Sequence, residues 1–396
     1  MSVSATLPQA VEHVRARVGV NLMWLVPGVV GGSEEATVAA LLAAAPVAAA
    51  EGIEIVLVAA EAVFDAHPEL RQFERAPVST PKGGTPGRVL AEALRLSRIS
   101  RLRSFDLLHC AGGVVPLGYG QRCTVTVHDV QPLDLPENFS VLKRRYLGWM
   151  IPRSVRRATV TCVPSQFVAD RVAALVSGVE SRVVPWCASP LVNLGDCTVT
   201  PMETLAPRYG LSQPYFLYPA ITYPHKNHRI LLEALASVDD TQVGLVFAGG
   251  VGGSEEEIVK QISELGLAHR VTRCGRVNRE DLFGLYRGAV ALLFPSLYEG
   301  FGLPALEAMA LGVPIVVSDQ GSLPEVVGPA GLVCAAHDSA EWAEAMNRLC
   351  LDPLGPPTAR ENQTRVATMF SAKRTGSALV AAWLEALDLP SNVSLV

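Results

Sequence analysis

Two carboxylates that bracket a glycine turn are the side chains best placed for chemistry in this chain. Glu299 and Glu307 flank seven residues in the stretch EGFGLPALE. An apolar run, Val290–Pro295, precedes them, and an Ala/Leu/Met-rich segment of helical character follows them. Strand, glycine loop and helix in this order place free backbone N–H groups at a helix N-terminus, where an anion is favoured. One acid could then face a sugar, while the other holds hydroxyls beside the anion. Taken alone, Glu307 would also fit a solvated helix position.

The first half of the chain predicts a βαβ unit with a glycine-rich first turn. An apolar run, Val18–Val26, leads into a turn at 27–33 and then into an alanine-rich helix, Glu34–Ala50. A second strand follows at Ile53–Ala59, so the two strands are expected to be parallel. Ser33 is the expected N-cap of the helix. Three more strands are predicted at Asp106–His109, Thr124–His128 and Thr159–Val163.

The second half alternates short apolar runs with helical stretches, as a doubly wound parallel sheet requires. The predicted strands are Tyr215–Pro219, Val243–Ala248, Val271–Cys274, Val290–Phe294, Pro314–Ser318 and Leu332–Cys334. The predicted helices between them include His228–Ser237, Glu255–Leu265 and Glu280–Arg287. A proline-rich stretch, Val184–Pro207, is the predicted connection between the halves, and Gln131–Ser140 is a predicted loop.

Composition sets the class of protein and excludes several others. With 396 residues, 49% of them hydrophobic and 18% charged, the chain has material for two buried cores. The net charge of −5 argues against a nucleic-acid partner. The eight cysteines form no C-x2-C pair, which fits reduced thiols in a cytoplasmic protein. The absence of a Walker A loop, a G-x-S-x-G elbow and a convincing D-x-D argues against kinase, hydrolase and metal-bridged chemistry.

These motifs together resemble the retaining, nucleotide-sugar-dependent glycosyltransferases of family 4, whose signature is E-x7-E. The resemblance implies the GT-B fold, in which two Rossmann-like doubly wound α/β domains face an interdomain cleft. Residues 1–195 would form the acceptor-binding domain and residues 208–375 the nucleotide-sugar-binding domain. Residues 376–396 would form a C-terminal helix that crosses back to the first domain. The implied activity is that of a hexosyltransferase (EC 2.4) without a cofactor or a required metal.

The resemblance also assigns roles in the C-terminal half. Glu299 would approach the donor sugar as a catalytic and donor-binding residue, and Glu307 would bind the nucleotide ribose. Backbone amides around Gly302 and Leu303 would face sugar and phosphate. Lys226, in the stretch YFLYPAITYPHKN, matches the lysine that neutralises the diphosphate.

In the N-terminal half, Gly31 and Gly32 match the glycine turn under the donor diphosphate. His128 ends the stretch TVTVH and resembles the strand-end histidine that contacts the donor sugar and β-phosphate. Asp129 would either orient this imidazole or cap the next turn. Val277 lies where relatives hold the base through backbone atoms.

One cation of the family pattern is missing. Many relatives carry an arginine several residues before the lysine, where this chain has Ala220, Ile221 and Thr222. The second phosphate-binding cation is therefore unassigned, with His225 and Arg229 as the nearby substitutes.

The stretch Ser140–Val160 bears on the acceptor. It carries six Lys/Arg residues and no acid among large apolar residues, and Pro152 interrupts it. It fits either a surface that docks on anionic lipid, beside a lipid-linked acceptor, or an arginine-rich helix packed on its own sheet. The expected location is cytoplasmic, with peripheral contact at the inner membrane face under the first alternative.

Three functions remain open from the sequence. The first is a glycosyltransferase that uses a nucleotide-diphosphate sugar, with GDP-mannose weakly favoured, in cell-surface polysaccharide biosynthesis. Its acceptor would be a glycan, a glycolipid, a lipid-linked saccharide or a small natural product. The second is a nucleotide-sugar epimerase on the same architecture, and the third is an inert binding protein of the same fold.

Overall fold

Two parallel β-sheets, each covered by helices, make up the fold of this chain. They are seen in a computed structural model that describes residues 14–29, 31–79, 84–188, 199–211, 214–351 and 356–393. The central strands of both sheets are buried along all or nearly all of their length, because helices cover both faces of a parallel sheet. The predicted fold class of two Rossmann-like doubly wound domains is confirmed.

The N-terminal sheet has seven parallel strands in the order β3-β2-β1-β4-β5-β6-β7. Its strands are β1 Ala16–Asn21, β2 Ile53–Ala59, β3 Glu74–Pro77, β4 Leu107–Cys110, β5 Cys123–Thr126, β6 Val160–Val163 and β7 Ser181–Val183. Its helices are α1 Gly32–Ala50, α2 Glu61–Ala66, α3 Gly84–Leu102, α4 Gln131–Asp134, α5 Val141–Arg157 and α6 Gln166–Leu175.

The C-terminal sheet has six parallel strands in the equivalent order, β10-β9-β8-β11-β12-β13. Its strands are β8 Tyr215–Tyr218, β9 Gly244–Phe247, β10 Val271–Arg273, β11 Ala291–Phe294, β12 Ile315–Ser318 and β13 Leu332–Cys334. The helices of this half are α7 Met202–Tyr209, α8 His228–Ala236, α9 Glu255–Glu264, α10 Arg279–Gly288, α11 Leu303–Ala310, α12 Leu323–Val327, α13 Ser339–Leu351, α14 Pro356–Met369 and α15 Ala372–Leu387.

The last helix, α15, packs on the N-terminal domain. Trp383 is fully buried in the core around β1 and β2, and Thr375 Oγ1 donates to the carbonyl of Pro185 at 2.7 Å. Gly376 lets α15 approach α1 closely, because a Cβ at this position would lie 2.1 Å from the carbonyl oxygen of Ala43. The chain therefore returns to its first sheet after completing the second.

Helix α1 is long and apolar enough, by length and composition, to cross a membrane, with a mean hydropathy of 1.2. In this fold it is a core helix. Leu41 and Ala44 are buried in the same cluster as Trp383 of α15.

Several local predictions differ from the structure. Gly31, not Ser33, is the N-cap of α1, and no side chain caps this end. The predicted loop at Gln131–Ser140 contains the short helix α4. Pro152 does not interrupt α5, which runs through it. A proline removes one backbone N–H from a helix, and the burial of Met150 and Ile151 offsets that loss here.

The predicted connection Val184–Pro207 lies partly outside the described residues, which resume at 199. Its described end forms helix α7. Every cysteine that the structure describes is a free thiol, whereas Cys197 lies outside the described ranges.

Candidate active site

Both sheets reverse their strand order beside the cleft between the domains. In the N-terminal sheet this switch lies between β1 and β4, and in the C-terminal sheet it lies between β8 and β11. Loops after such strands diverge and leave a crevice, which is where open α/β sheets bind ligands. The two glycine turns predicted from the sequence lie in these loops.

The stretch Glu299–Glu307, called the acid turn below, links β11 to α11. Gly302 is the N-cap of α11 with φ 101°, a backbone conformation that side chains disfavour. The backbone of Glu299 is fixed by Ser322, whose Oγ donates to its carbonyl oxygen at 3.1 Å. Pro304 has no N–H and the Ala305 N–H donates to the Gly302 carbonyl at 3.0 Å, which leaves the amides of Gly302 and Leu303 at the edge of the cleft for an anion.

The acid turn also contacts the N-terminal domain directly. A Cβ at Gly300 would lie 2.3 Å from the carbonyl oxygen of His128, so only glycine allows this approach. Ser165 Oγ donates to the carbonyl of Gly300 at 2.7 Å. Tyr298 OH donates to Asp134 Oδ2 at 3.0 Å. These contacts bring the end of β5 and the acid turn into one site.

Lys226 and Glu299 meet inside the cleft. Lys226 ends a 3-10 turn after β8, and its Nζ lies 2.5 Å from Glu299 Oε1. Both side chains are mostly buried, and the hydroxyl of Tyr218 donates to the carbonyl of Lys226 at 2.7 Å. The cation expected at the diphosphate and the acid expected at the sugar are thus neighbours.

Glu307 is buried rather than solvated, with only 7% of its surface exposed. Burial, with repulsion from Glu35, raises its pKa to about 7 against the opposing attraction to Arg279 and the hydrogen bond from Tyr286. The hydroxyl of Tyr286 donates to Glu307 Oε2 at 3.2 Å. Glu307 therefore retains one carboxylate oxygen for a ligand, and it can change its protonation near neutral pH.

His128 is a neutral hydrogen-bond acceptor in this site. Its Nε2 lies 2.7 Å from the carbonyl oxygen of Ala111, which requires the proton on Nε2. Burial lowers the pKa of His128 to about 4, and its Nδ1 is buried without a partner. The free Nδ1 lone pair suits a sugar hydroxyl and would repel a phosphate oxygen. Asp129 caps the next turn by accepting from the Gln131 N–H at 3.0 Å.

The remaining predicted positions line the same cleft. Gly31 and Val277 border a cavity of about 610 Å³ between the domains. A Cβ at Gly32 would lie 3.4 Å from Leu303 Cδ1, so the glycine turn of α1 touches the first residue of α11. The N-terminal ends of α1 and α11 therefore meet.

Neither substitute for the missing second cation fits that role. Burial lowers the pKa of His225 to about 4, which makes it neutral. The side chain of Arg229 is 67% exposed and is paired with Glu233 on the same helix. The second cation therefore stays unassigned to either residue, because the buried imidazole of His225 is neutral and the side chain of Arg229 is exposed to solvent.

Sequence reasoning missed Arg279, the first residue of α10. Its Nη1 lies 3.0 Å from Glu35 Oε2, and its Nη2 lies 3.7 Å from Glu307 Oε1. It carried no local signal beyond its place two residues after Val277. Among the described residues, no three His, Cys, Asp or Glu side chains are grouped as a metal site.

A second cavity, of about 810 Å³, borders His128. Its lining combines aromatic rings, amides and a few charged groups, among them Trp24, Gln131, Glu137, Phe139, Lys143 and Tyr223. Aromatic faces beside planar hydrogen-bonding groups are well suited to a polar ligand with apolar ring faces.

Comparison with known proteins agrees with this arrangement. The model described as Glycosyltransferase Family 4 matches residues 36–187, and the model described as Glycosyl transferases group 1 matches residues 207–367. Together they match most of the chain.

Two curated relatives are similar to parts of the chain. O-antigen chain mannosyltransferase B of Escherichia coli is 34% identical over 225 residues, which are 55% of this chain and 58% of that protein. D-inositol 3-phosphate glycosyltransferase of Mycobacterium sp. (strain KMS) is 33% identical over 219 residues, 53% of this chain and 48% of that protein. The chain thus spans about half the length of these relatives.

A solved structure covers nearly the whole chain. The structure of Anabaena Alr3699/HepE in complex with UDP and glucose superposes with a TM-score of 0.70 at 19% identity, covering 93% of this chain and 99% of that one. This likeness shows a shared fold.

Proposed function

The chain belongs to glycosyltransferase family 4, and we propose that it is a retaining glycosyltransferase that moves a hexose from a nucleotide-diphosphate sugar to a saccharide acceptor. One observation carries the proposal. The acid turn, Lys226 and the Gly31-Gly32 turn, all recognised separately in the sequence, converge in a single cleft between the two sheets.

The site offers a complementary group to each part of such a donor. Lys226 and the first amides of α11 would hold the diphosphate, where positive charge and helix N-termini favour phosphate. Glu307 would accept hydrogen bonds from the ribose hydroxyls, and the backbone of Val277 would face the base. Glu299 would lie beside the transferred sugar, with the Nδ1 atom of His128 accepting from a sugar hydroxyl.

This arrangement favours departure of the diphosphate without a protein nucleophile. The bond between the sugar anomeric carbon and the β-phosphate oxygen breaks, and the acceptor oxygen bonds to the same face of that carbon. The acceptor proton passes to the departing diphosphate. Lys226 and the helix N-termini stabilise the growing negative charge, which lowers the barrier without a required metal. Full activity in excess EDTA is the expected result.

For the donor we favour GDP-mannose, and the similarity to an O-antigen chain mannosyltransferase supports that choice. A thermal-shift series with UDP, GDP, dTDP and ADP tests the base, because a ligand that binds only the folded protein raises the melting midpoint. GDP is expected to give the largest shift. A larger shift with UDP would contradict this choice of base.

Substitutions in the acid turn test the reaction. Glu299→Gln should keep nucleotide affinity and lose turnover, whereas Glu307→Gln should lose nucleotide affinity. Equal loss of affinity in both variants would refute the assigned roles. An epimerised sugar formed without any acceptor, detected by NMR, would instead indicate a nucleotide-sugar epimerase.

We propose that the acceptor is a glycan, glycolipid or lipid-linked saccharide of a cell-surface polysaccharide and that the enzyme works at the cytoplasmic face of the membrane. The cavity beside His128 is bordered by Phe139 and Lys143, which lie next to an exposed patch on α5. Leu142 is 76% and Trp149 57% exposed on this helix, beside the exposed arginines Arg144 and Arg145. Apolar side chains among basic ones favour an anionic lipid surface.

Flotation with vesicles of anionic and of neutral lipid tests this contact. The wild type should float with anionic vesicles at low salt, and the double variant Arg144→Glu/Arg145→Glu should not. Arg75→Glu, on β3 of the same domain, is the control for reversal of one surface charge, and it is compared with the single variants Arg144→Glu and Arg145→Glu. Absence of wild-type binding at low salt would remove the membrane contact and leave the sugar transfer untouched.

A further inference from the structure

Arg279 joins the two domains beside Glu307. It contacts Glu35, one turn into α1, and lies near Glu307, one turn into α11. Because the N-terminal ends of α1 and α11 meet at Gly32 and Leu303, this cluster lies one helical turn beyond the proposed diphosphate position. The guanidinium also lies over the ring of Phe283, at 5.3 Å from its centroid.

The guanidinium of Arg279 is incompletely satisfied without a ligand. Its Nε and Nη2 are buried and have no hydrogen-bond partner. The Nη2 atom is 3.7 Å from Glu307 Oε1, which is beyond hydrogen-bond distance. Buried donors of a charged group are nearly always paired in folded proteins, so an acceptor is missing from this site.

Among the residues that the structure describes, the closest charged partner of Arg279 is Glu35, a side chain from the other domain. Glu35 is 46% exposed, and its pair with Arg279 at 3.0 Å is partly solvated. A partly exposed ion pair contributes little and exchanges readily for a better acceptor. Both charged groups border the cavity of about 610 Å³ that also contains Gly31 and Val277.

We infer that Arg279 is a further donor-binding residue, which donates hydrogen bonds to an oxygen of the nucleotide and is neutralised by Glu35 when no nucleotide is present. The inference rests on the proposed function, since it names one more contact in the same site. With a phosphate oxygen as its partner, Arg279 would also be the second cation that His225 and Arg229 do not provide. A phosphate oxygen and a carbonyl oxygen of the base offer the same acceptor chemistry, and the experiment separates them.

Isothermal titration with two nucleotide series tests the inference: guanosine, GMP and GDP, and uridine, UMP and UDP. Arg279→Met should weaken binding of the nucleoside diphosphate about tenfold or more, because a charge-assisted hydrogen bond is lost. Glu35→Gln should strengthen it about two- to fivefold, because the competing partner is removed. Glu61→Gln, an exposed acid of the same domain that faces Arg75, is the control for a lost negative charge.

The ligand series locates the contact. If Arg279→Met loses affinity for the phosphorylated ligands and not for the nucleosides, Arg279 contacts phosphate. If it loses affinity equally for the nucleosides, Arg279 contacts the base. Unchanged binding in Arg279→Met, or binding in Glu35→Gln that is no tighter than in Glu61→Gln, overturns the inference. A wild-type chain that binds none of these ligands overturns the proposed function together with it. Thermal melts of the unligated variants check that each one folds.

Discussion

Titration of Glu307 should make nucleotide-sugar binding depend on pH in the neutral range. Burial, with Glu35 nearby, raises the pKa of this carboxyl to about 7, despite the attraction of Arg279. As a carboxylate, Glu307 can accept from two ribose hydroxyls. When Glu307 is protonated, one of its oxygens becomes a hydrogen-bond donor, and the carboxyl group can then accept fewer hydrogen bonds from the ribose.

The size of the effect follows from the pKa. With a value near 7, about one tenth of Glu307 is ionised at pH 6 and about nine tenths at pH 8. Affinity for a nucleotide sugar should therefore rise about tenfold between these values, or about 1.4 kcal/mol. Binding at pH 7 should release about half a proton.

The stability of the ligand-free protein should change in the opposite direction. Glu307 has a pKa of 4.5 as an unperturbed group and a higher one when folded, so the native state binds more protons between these values. Its contribution is fully present below about pH 4.5 and is lost as pH rises through about 7. The loss amounts to roughly 3 kcal/mol at alkaline pH.

Calorimetric titrations from pH 6 to 8 in buffers of different ionisation enthalpy measure both the affinity and the proton release. An intact nucleotide sugar is the right ligand, because its diphosphate has no terminal phosphate that titrates in this range. The variant Glu307→Gln should bind weakly with no slope against pH, and its melting temperature should exceed that of the wild type at pH 8 more than at pH 5. A wild-type affinity that is flat from pH 6 to 8, with no proton released, would refute a buried carboxyl at the ribose.

Three further substitutions test the surroundings of the site. Gly376→Ala should lower the melting temperature by several degrees, because its Cβ would lie 2.1 Å from the carbonyl oxygen of Ala43. Gly148→Ala is the control, because a Cβ at that position has no neighbour within 4 Å. Equal melting temperatures of the two variants would contradict the tight packing of α15 on α1. Lys226→Met should weaken the binding of GDP and UDP by about tenfold or more and leave the binding of guanosine and uridine unchanged. Titration calorimetry measures these affinities. An equal loss of affinity for nucleosides and nucleoside diphosphates would show that Lys226 does not bind the diphosphate. Both carboxylate oxygens of Glu325 accept hydrogen bonds from backbone N–H groups in the first turn of α6. Glu325→Ala should therefore lower the free energy of unfolding, measured by chemical denaturation, by about 1 kcal/mol. An unchanged midpoint would show that this cap across the domains does not contribute to stability.

The sequence by itself determined the alternation of strands and helices and the position of the acid turn. Short apolar runs can form buried parallel strands only when helices cover them, so their regular spacing indicated two doubly wound domains. The turn before α11 was also predictable from its glycines, since Gly302 takes a positive φ that other residues disfavour. Local rules failed at Ser33 and Pro152, where packing of whole helices overrides the preference of one residue.

Only the tertiary structure decided the electrostatics of the site. Glu307 would be an ordinary helix acid if the domains did not bury it beside Glu35, which lies far away in the sequence. Arg279 became visible only where α1, α10 and α11 meet. Which ring nitrogen of His128 carries the proton likewise depends on the carbonyl of Ala111, at the end of a neighbouring strand. Local backbone preferences depend on adjacent residues and can therefore be predicted from the sequence. Burial and charge pairing involve segments that are distant in the sequence, so they arise only when the two domains pack together.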